Sequence, residues 1–176
     1  MTQIGRQYMS TPFSTALLSA LVLVTLSPTA AVAQAARPTD NAKEARNRTL
    51  IADAFGRWAA GTGDVFSLLA EDVVWHIAGF DPTVAQTYRS RQSLLDAAAT
   101  PLRARVSKPL KPTVRRIWAD GDDVLVHWDG AAPFKDGSQY RNTYLWIMTV
   151  RDQRIVAVTA FLDNAAFAAA LAKPAS

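Results

Sequence analysis

The twelve residues Gln139 to Val150 constrain this chain more than any other stretch. They contain no Gly or Pro and are rich in aromatic and β-branched side chains, so they read as one long strand. The polar turn Arg151-Asp152-Gln153-Arg154 follows, and a second strand runs from Ile155 to Phe161. Two long strands joined by so short a turn must pair antiparallel. Side chains alternate across a strand, which puts Tyr140, Asn142, Tyr144 and Trp146 on one face. A plain core face does not usually carry an amide and two phenols. This face is expected to be the wall of a pocket.

The N-terminus reads as a leader. Arg6 gives a weakly basic start, Phe13 to Leu26 is a short apolar run, Pro28 ends it, and Ala31-Val32-Ala33 is a small-x-small cleavage site. That is the build of a secretory signal over residues 1–33, and the run is short for a bilayer span. Residues 34–40 are a flexible lead-in and 41–176 a single domain. Removing 33 of the 176 residues leaves 143, enough to bury a core without staples. There is no cysteine, which rules out disulfides, thiolate metal sites and cysteine nucleophiles. An exported domain without disulfides fits a bacterial periplasm first and the medium second. No stable membrane span is expected after cleavage.

Charge points away from nucleic acid. The chain carries 19 basic and 15 acidic residues, and the leader holds only Arg6 of these. The basic residues are scattered, apart from a modest cluster at Arg103, Arg105, Lys108, Lys111, Arg115 and Arg116, which reads as a solvated edge rather than a nucleic-acid footprint. With two histidines and no thiolate, no metal site is expected.

Helices come first. Asp40 is placed to cap a helix over Asn41–Ala60, whose Leu50, Ile51, Ala54, Phe55 and Trp58 form one apolar stripe and which Gly61 stops. Asp64 caps a short helix through Leu69, and a strand runs from Asp72 to Ala78. Thr83–Arg89 has no clean period and reads as a loop. Ser90 or Ser93 opens a third helix ending near Arg105. Strands follow at Pro112–Ala119, Val124–Ala131, Gln139–Val150 and Arg154–Phe161. Asp163 then caps a last helix over Asn164–Ala172. Such an order indicates an α+β layer fold.

The residues Asp72-Val73-Val74-Trp75 with Gly79, Tyr88-Arg89-Ser90, Ala119-Asp120-Gly121-Asp122, Tyr140-x-Asn142-x-Tyr144 and Phe161-Leu162-Asp163 occur in an order that resembles the SnoaL-like and ketosteroid-isomerase-like group of the nuclear transport factor 2 superfamily. The resemblance covers roughly Asn41 to Ala172. It implies a cone-like, curved antiparallel sheet wrapped around N-terminal helices, with a mostly apolar pocket at the open end. It also implies a small hydrophobic ligand, frequent homodimers through the outer sheet face, and no cofactor. The group includes isomerases, polyketide cyclases, epoxide hydrolases, dehydratases and non-catalytic binding proteins, so the fold does not fix the function.

Candidate site residues follow from alternation and from the resemblance together. His127 and Asp129 lie two apart on one strand and face the same side. An imidazole there could serve as a base with the carboxylate fixing its tautomer, or Asp129 could simply open a turn beside a structural His127. Similar positions in limonene-epoxide-hydrolase-like members hold an Arg and an Asp. Their second acidic residue corresponds to Thr159 here, so the water-activating set is incomplete. Ketosteroid isomerases carry a carboxylate base where this chain has Ile77, and their acidic oxyanion donor corresponds roughly to Tyr144. A buried phenol can donate to a developing enolate. Asn142 and Tyr144 either bind a ligand oxygen or bond each other or nearby backbone, while Tyr140 is expected nearer solvent.

Trp75, Trp118, Trp128, Trp146 and Phe161 supply aromatic surface. Trp75, Ile77, Asn142, Trp146, Thr159 and Phe161 are assigned to the pocket. Trp128, opposite His127, is assigned to a dimer interface. Two main readings stand. One is a cofactor-free acid/base enzyme acting on a small hydrophobic carbonyl compound or epoxide through His127, Asp129 and Tyr144. The other is a module that binds such a compound unchanged. A dimeric assembly domain of the envelope is the third.

Overall fold

A computed structural model describes residues 38–175 of the chain. The expected leader, residues 1–33, lies outside the described residues. The first helix, α1 (Pro38–Ala60), begins three residues before the expected Asn41. Proline opens a helix at little cost because the first N–H groups have no intrahelical partner. Asp40 therefore falls in the first turn, where a carboxylate suits the positive end of the helix. Gly61 ends α1 at φ +76. Its N–H bonds Trp58 O at 3.0 Å and the Thr62 N–H bonds Arg57 O at 2.9 Å, a Schellman closure that needs a left-handed residue.

Asp64 caps the 3-10 turn Val65–Leu68 by accepting from Ser67 N at 3.1 Å. Strand β1 (Leu69–Ile77) starts earlier than expected. The segment Thr83–Arg89 holds a two-residue strand, β2 (Thr87–Tyr88), where a loop was expected; Tyr88 pairs with Trp75. Ser90 and Ser93 then form a reciprocal capping box that opens α2 (Arg91–Leu94).

This helix continues through a wide π turn at Leu95–Ala99 into α3 (Thr100–Arg105). Pro101 accounts for the widening. Its ring would crowd the carbonyl four residues back and it has no N–H to offer, so the turn before it opens and Thr100 N reaches Leu95 O. Leu94, Ala98 and Leu102 stay on one buried face.

Strands β3 (Lys111–Asp120), β4 (Asp123–Pro133), β5 (Gln139–Arg151) and β6 (Arg154–Leu162) form the expected meander. The β5–β6 turn places Asp152 and Gln153 at φ 48 and 59, which matches the twist of a tight hairpin. Among the described residues the sheet has six strands in the order β2-β1-β6-β5-β4-β3. It is mixed rather than wholly antiparallel, because β1 returns beside β6 in parallel. The fold is α+β, with the curved, open sheet wrapped around helices.

Helix α1 buries Ile51, Ala54 and Phe55 against β3 and β4. Glu44 Oε1 accepts from Gly121 N at 3.0 Å, and Lys43 pairs with Asp122 at 2.9 Å. These contacts fix the β3–β4 turn to the helix. The last helix, α4 (Asn164–Ala172), is capped by Asp163, whose Oδ1 accepts from Ala166 N at 2.9 Å. Arg105 Nε donates to Lys173 O at 2.7 Å and joins α3 to the end of α4.

Candidate functional site

The inner faces of the strands meet the helices around a cavity of about 400 Å³. Alternation and register decide which side chains reach it. On β5, Tyr140, Asn142, Tyr144, Trp146 and Met148 are all buried. Pairing places Trp128 opposite Tyr144 and Ala160 opposite Trp146. The cavity is walled by Trp75, Ile77, Trp128, Tyr144 and Trp146 from the sheet, Trp58 and Phe66 from the N-terminal segment, and Leu94, Ala98 and Leu102 from the helix above. The rings interlock. Trp128 stacks on Tyr144 with centroids 4.0 Å apart and planes 9° from parallel. Trp146 meets both Trp75 and Trp128 edge to face at 4.8 Å. Such geometries suit the aromatic quadrupole.

Gly130 makes the stack possible. A methyl at this position would lie 2.9 Å from both Trp128 Cζ3 and Tyr144 Cε2. The two rings lean over the space that a side chain would take.

One polar chain runs into this apolar wall. Asn142 Oδ1 accepts from Asp163 N at 2.9 Å, and Asn142 Nδ2 donates to Asp163 O at 3.0 Å and to Tyr140 Oη at 3.2 Å. Tyr140 Oη lies 2.6 Å from Tyr144 Oη. Either hydroxyl can be the donor in this bond, since a phenol oxygen both donates and accepts. Tyr144 supplies the one hydroxyl of the cavity lining. Burial pushes both phenols above their ordinary pKa, Tyr144 well above it. Both are neutral at pH 7 and act as hydrogen-bond groups, not bases. The Trp128 indole N–H in the same wall lacks a hydrogen-bond partner among the described residues, although buried donors are nearly always paired.

The structure separates the expected site residues into three groups. Trp75, Ile77, Tyr144 and Trp146 line the cavity. Asn142 is buried one step behind it and ties β5 to the start of α4. Tyr140, expected near solvent, is 2% exposed.

His127, Asp129, Thr159 and Phe161 lie on the other side of the sheet, which corrects their assignment to the pocket. Register gives the reason: His127 pairs with Leu145, Asp129 with Thr143, Thr159 with Ile147 and Phe161 with Leu145, all on the outer face of β5. Asp129 does not orient His127. Arg115 Nε donates to Asp129 Oδ2 at 2.7 Å and Thr143 Oγ1 to its Oδ1 at 2.9 Å, and these bonds, Arg115 first, hold the carboxyl below its usual range.

Trp128, expected on an outer interface, is fully buried in the cavity wall, whereas Trp118 is 38% exposed outside. The inward residues Val124, Val126, Trp128, Gly130 and Ala132 of β4 are uniformly apolar. That uniformity was the available signal.

The exposed lining residues mark the mouth. They are Gly61 and Gly63 after α1, Arg103 on α3, and Pro109 and Lys111 before and at the start of β3. Asp64 lies among them, half-buried and committed to its cap.

Residues 40–158 match the family model described as a SnoaL-like domain. The chain belongs to the SnoaL-like family. No curated protein matches it. Among solved structures, this SnoaL-like chain is similar to IdmH of Streptomyces antibioticus, proposed to be a polyketide cyclase: 25% identity over 73% of this chain and 99% of that one, TM-score 0.54. A limonene-epoxide-hydrolase-like epoxide hydrolase of Mycobacterium tuberculosis aligns at 19% identity over 73% of this chain and 91% of that one, TM-score 0.53. An NTF2-like protein of Burkholderia pseudomallei aligns at 13% identity over 72% and 98%, TM-score 0.58. The last two likenesses concern the fold alone.

Proposed function

We propose that this SnoaL-like domain binds a small, flat, hydrophobic compound carrying one carbonyl or hydroxyl oxygen. The ring system lies among the tryptophans and the oxygen accepts from Tyr144. One observation carries the reading: an aromatic cavity whose single lining hydroxyl, that of Tyr144, ends the Asn142–Tyr140–Tyr144 hydrogen-bonded chain. The volume of about 400 Å³ lies in the small-molecule range.

Tyr144→Phe keeps the ring and removes the donor. It is expected to weaken binding of 2-acetylnaphthalene about 2- to 10-fold, the worth of one neutral hydrogen bond, with naphthalene binding unchanged. Calorimetric titration measures both. Equal ketone affinity in the variant sinks the role of Tyr144.

A catalytic version of the same site is favoured by the likeness to IdmH, proposed to be a polyketide cyclase. The neutral Tyr144 phenol would then stabilise negative charge on a carbonyl oxygen as it develops. His127 has no part in it, being on the far face of the sheet.

The outer face supports a second proposal, a homodimer. Val74, Trp118 and Phe161 are 38%, 38% and 45% exposed on it, with Leu125, Leu145 and Ile147 half-buried between them. Contiguous apolar surface of this kind marks a contact site. Sedimentation velocity should show a dimer that Trp118→Lys converts to monomer. A wild-type monomer at all loading concentrations refutes the pairing.

A further inference from the structure

The charge at the mouth adds a property of the ligand, and this inference rests on the small-ligand reading above. Two cationic side chains, Arg103 and Lys111, belong to the cavity lining and are exposed. A third, Arg57, packs over the rim. A methyl at Gly63 would lie 3.7 Å from Arg57 Nε, and Gly63 itself lines the mouth. None of the three takes part in an ion pair among the described residues. The rim has one carboxylate, Asp64, whose Oδ1 is held by Ser67 N. The interior beyond is aromatic and aliphatic. An ionised group cannot enter such an interior without a large desolvation cost. At the rim it keeps its water and meets an excess of positive charge, with guanidinium groups able to bind a planar carboxylate through two parallel N–H donors.

We propose that the ligand is an amphiphilic anion: an apolar compound whose ring and carbonyl or hydroxyl oxygen enter the cavity while a separate carboxylate stays at the mouth beside Arg103 and Lys111. The basic cluster that reads in sequence as a solvated edge thus splits by position. Arg103 and Lys111 face the mouth, whereas Arg115 is engaged with Asp129 on the outer sheet face.

The test compares 6-acetylnaphthalene-2-carboxylate, which carries both groups, with 2-acetylnaphthalene, which lacks only the carboxylate, by calorimetric titration of the full chain. The carboxylate is expected to bind about tenfold more tightly at about 20 mM salt, equivalent to about 1.4 kcal/mol. The preference should shrink at about 300 mM salt, because contacts at an exposed rim are screened. In the double variant R103Q/K111Q the ratio of the two constants should fall towards one. Lys43→Gln, a cation paired with Asp122 away from the cavity, should leave the ratio as it was. Equal binding of the two compounds, or a carboxylate preference that survives R103Q/K111Q, overturns the anionic assignment and leaves the ligand site standing. Binding of neither compound overturns both.

Discussion

Trp128→Ala is expected to destabilise the domain by about 3–5 kcal/mol, the range for removing a large aromatic side chain from a core. Trp128 is fully buried. It contacts Tyr144 at 4.0 Å, Trp146 at 4.8 Å, Trp58 at 5.2 Å and Phe55 at 5.6 Å between ring centroids. It thus links β4, β5 and α1 at one point. Collapse around the new hole is restricted, because the wall is hydrogen-bonded sheet and the space would merge with an existing cavity. Trp118→Ala provides the contrast. That side chain is 38% exposed on the outer face, so its loss should cost about 1 kcal/mol or less in the monomer. Urea unfolding midpoints of the two variants compare these directly. Equal losses would contradict the assignment of the inner face of β4.

Asn142→Ala is expected to cost about 2–4 kcal/mol. Asn142 is 6% exposed and is the buried polar residue of the core. Its amide satisfies both backbone groups of Asp163 and also donates to Tyr140. Truncation removes three hydrogen bonds, two to the Asp163 backbone and one to Tyr140, each worth about 0.5–1.5 kcal/mol. The loss should be local in character. Asp163 caps α4, so hydrogen exchange in the first turn of α4 should accelerate before that in β5. Asn142→Asp makes a sharper test. Its carboxylate can still accept from Asp163 N but faces the Asp163 carbonyl and a buried phenol with no donor to offer. Burial raises the pKa of such a carboxyl, so the charged form is the destabilised one. The variant should therefore regain stability relative to wild type as pH falls through that raised pKa and the carboxyl becomes neutral. A uniform small loss, with α4 unaffected, would show that the amide is not the tie.

These two residues also mark where sequence reading succeeds and where it stops. For Asn142 the period of two was enough to place it with Tyr140, Tyr144 and Trp146, and the apolar company of that face implied burial. What the amide bonds to was not legible, since Asp163 reaches it only through the β5–β6 register and the turn into α4. For Trp128 the same period correctly set it opposite His127 but left open which of the two faced inward. The polar pair His127 and Asp129 was given the pocket because titratable groups suggest chemistry. Burial went to the wholly apolar row instead, and Arg115 engaged Asp129 outside. Thr159 and Phe161 were displaced for a related reason. Register shifts on β6 at its pairings with both β1 and β5 decide which parity faces the helices.

By itself, the sequence determined the long strands β3 to β6, the turns between them and the caps at Asp64, Ser90 and Asp163, because these follow from side-chain period, Gly and Asp at fixed offsets, and local hydrogen bonding. It determined as well which residues share a face along β4 and β5. The tertiary structure alone decided which face became interior, because that choice depends on the summed burial of all six strands against helices distant in the chain. It also brought Arg57, Arg103 and Lys111 to one rim from three separate segments. No local rule encodes such a meeting; the curvature of the sheet and the path of α3 across it do.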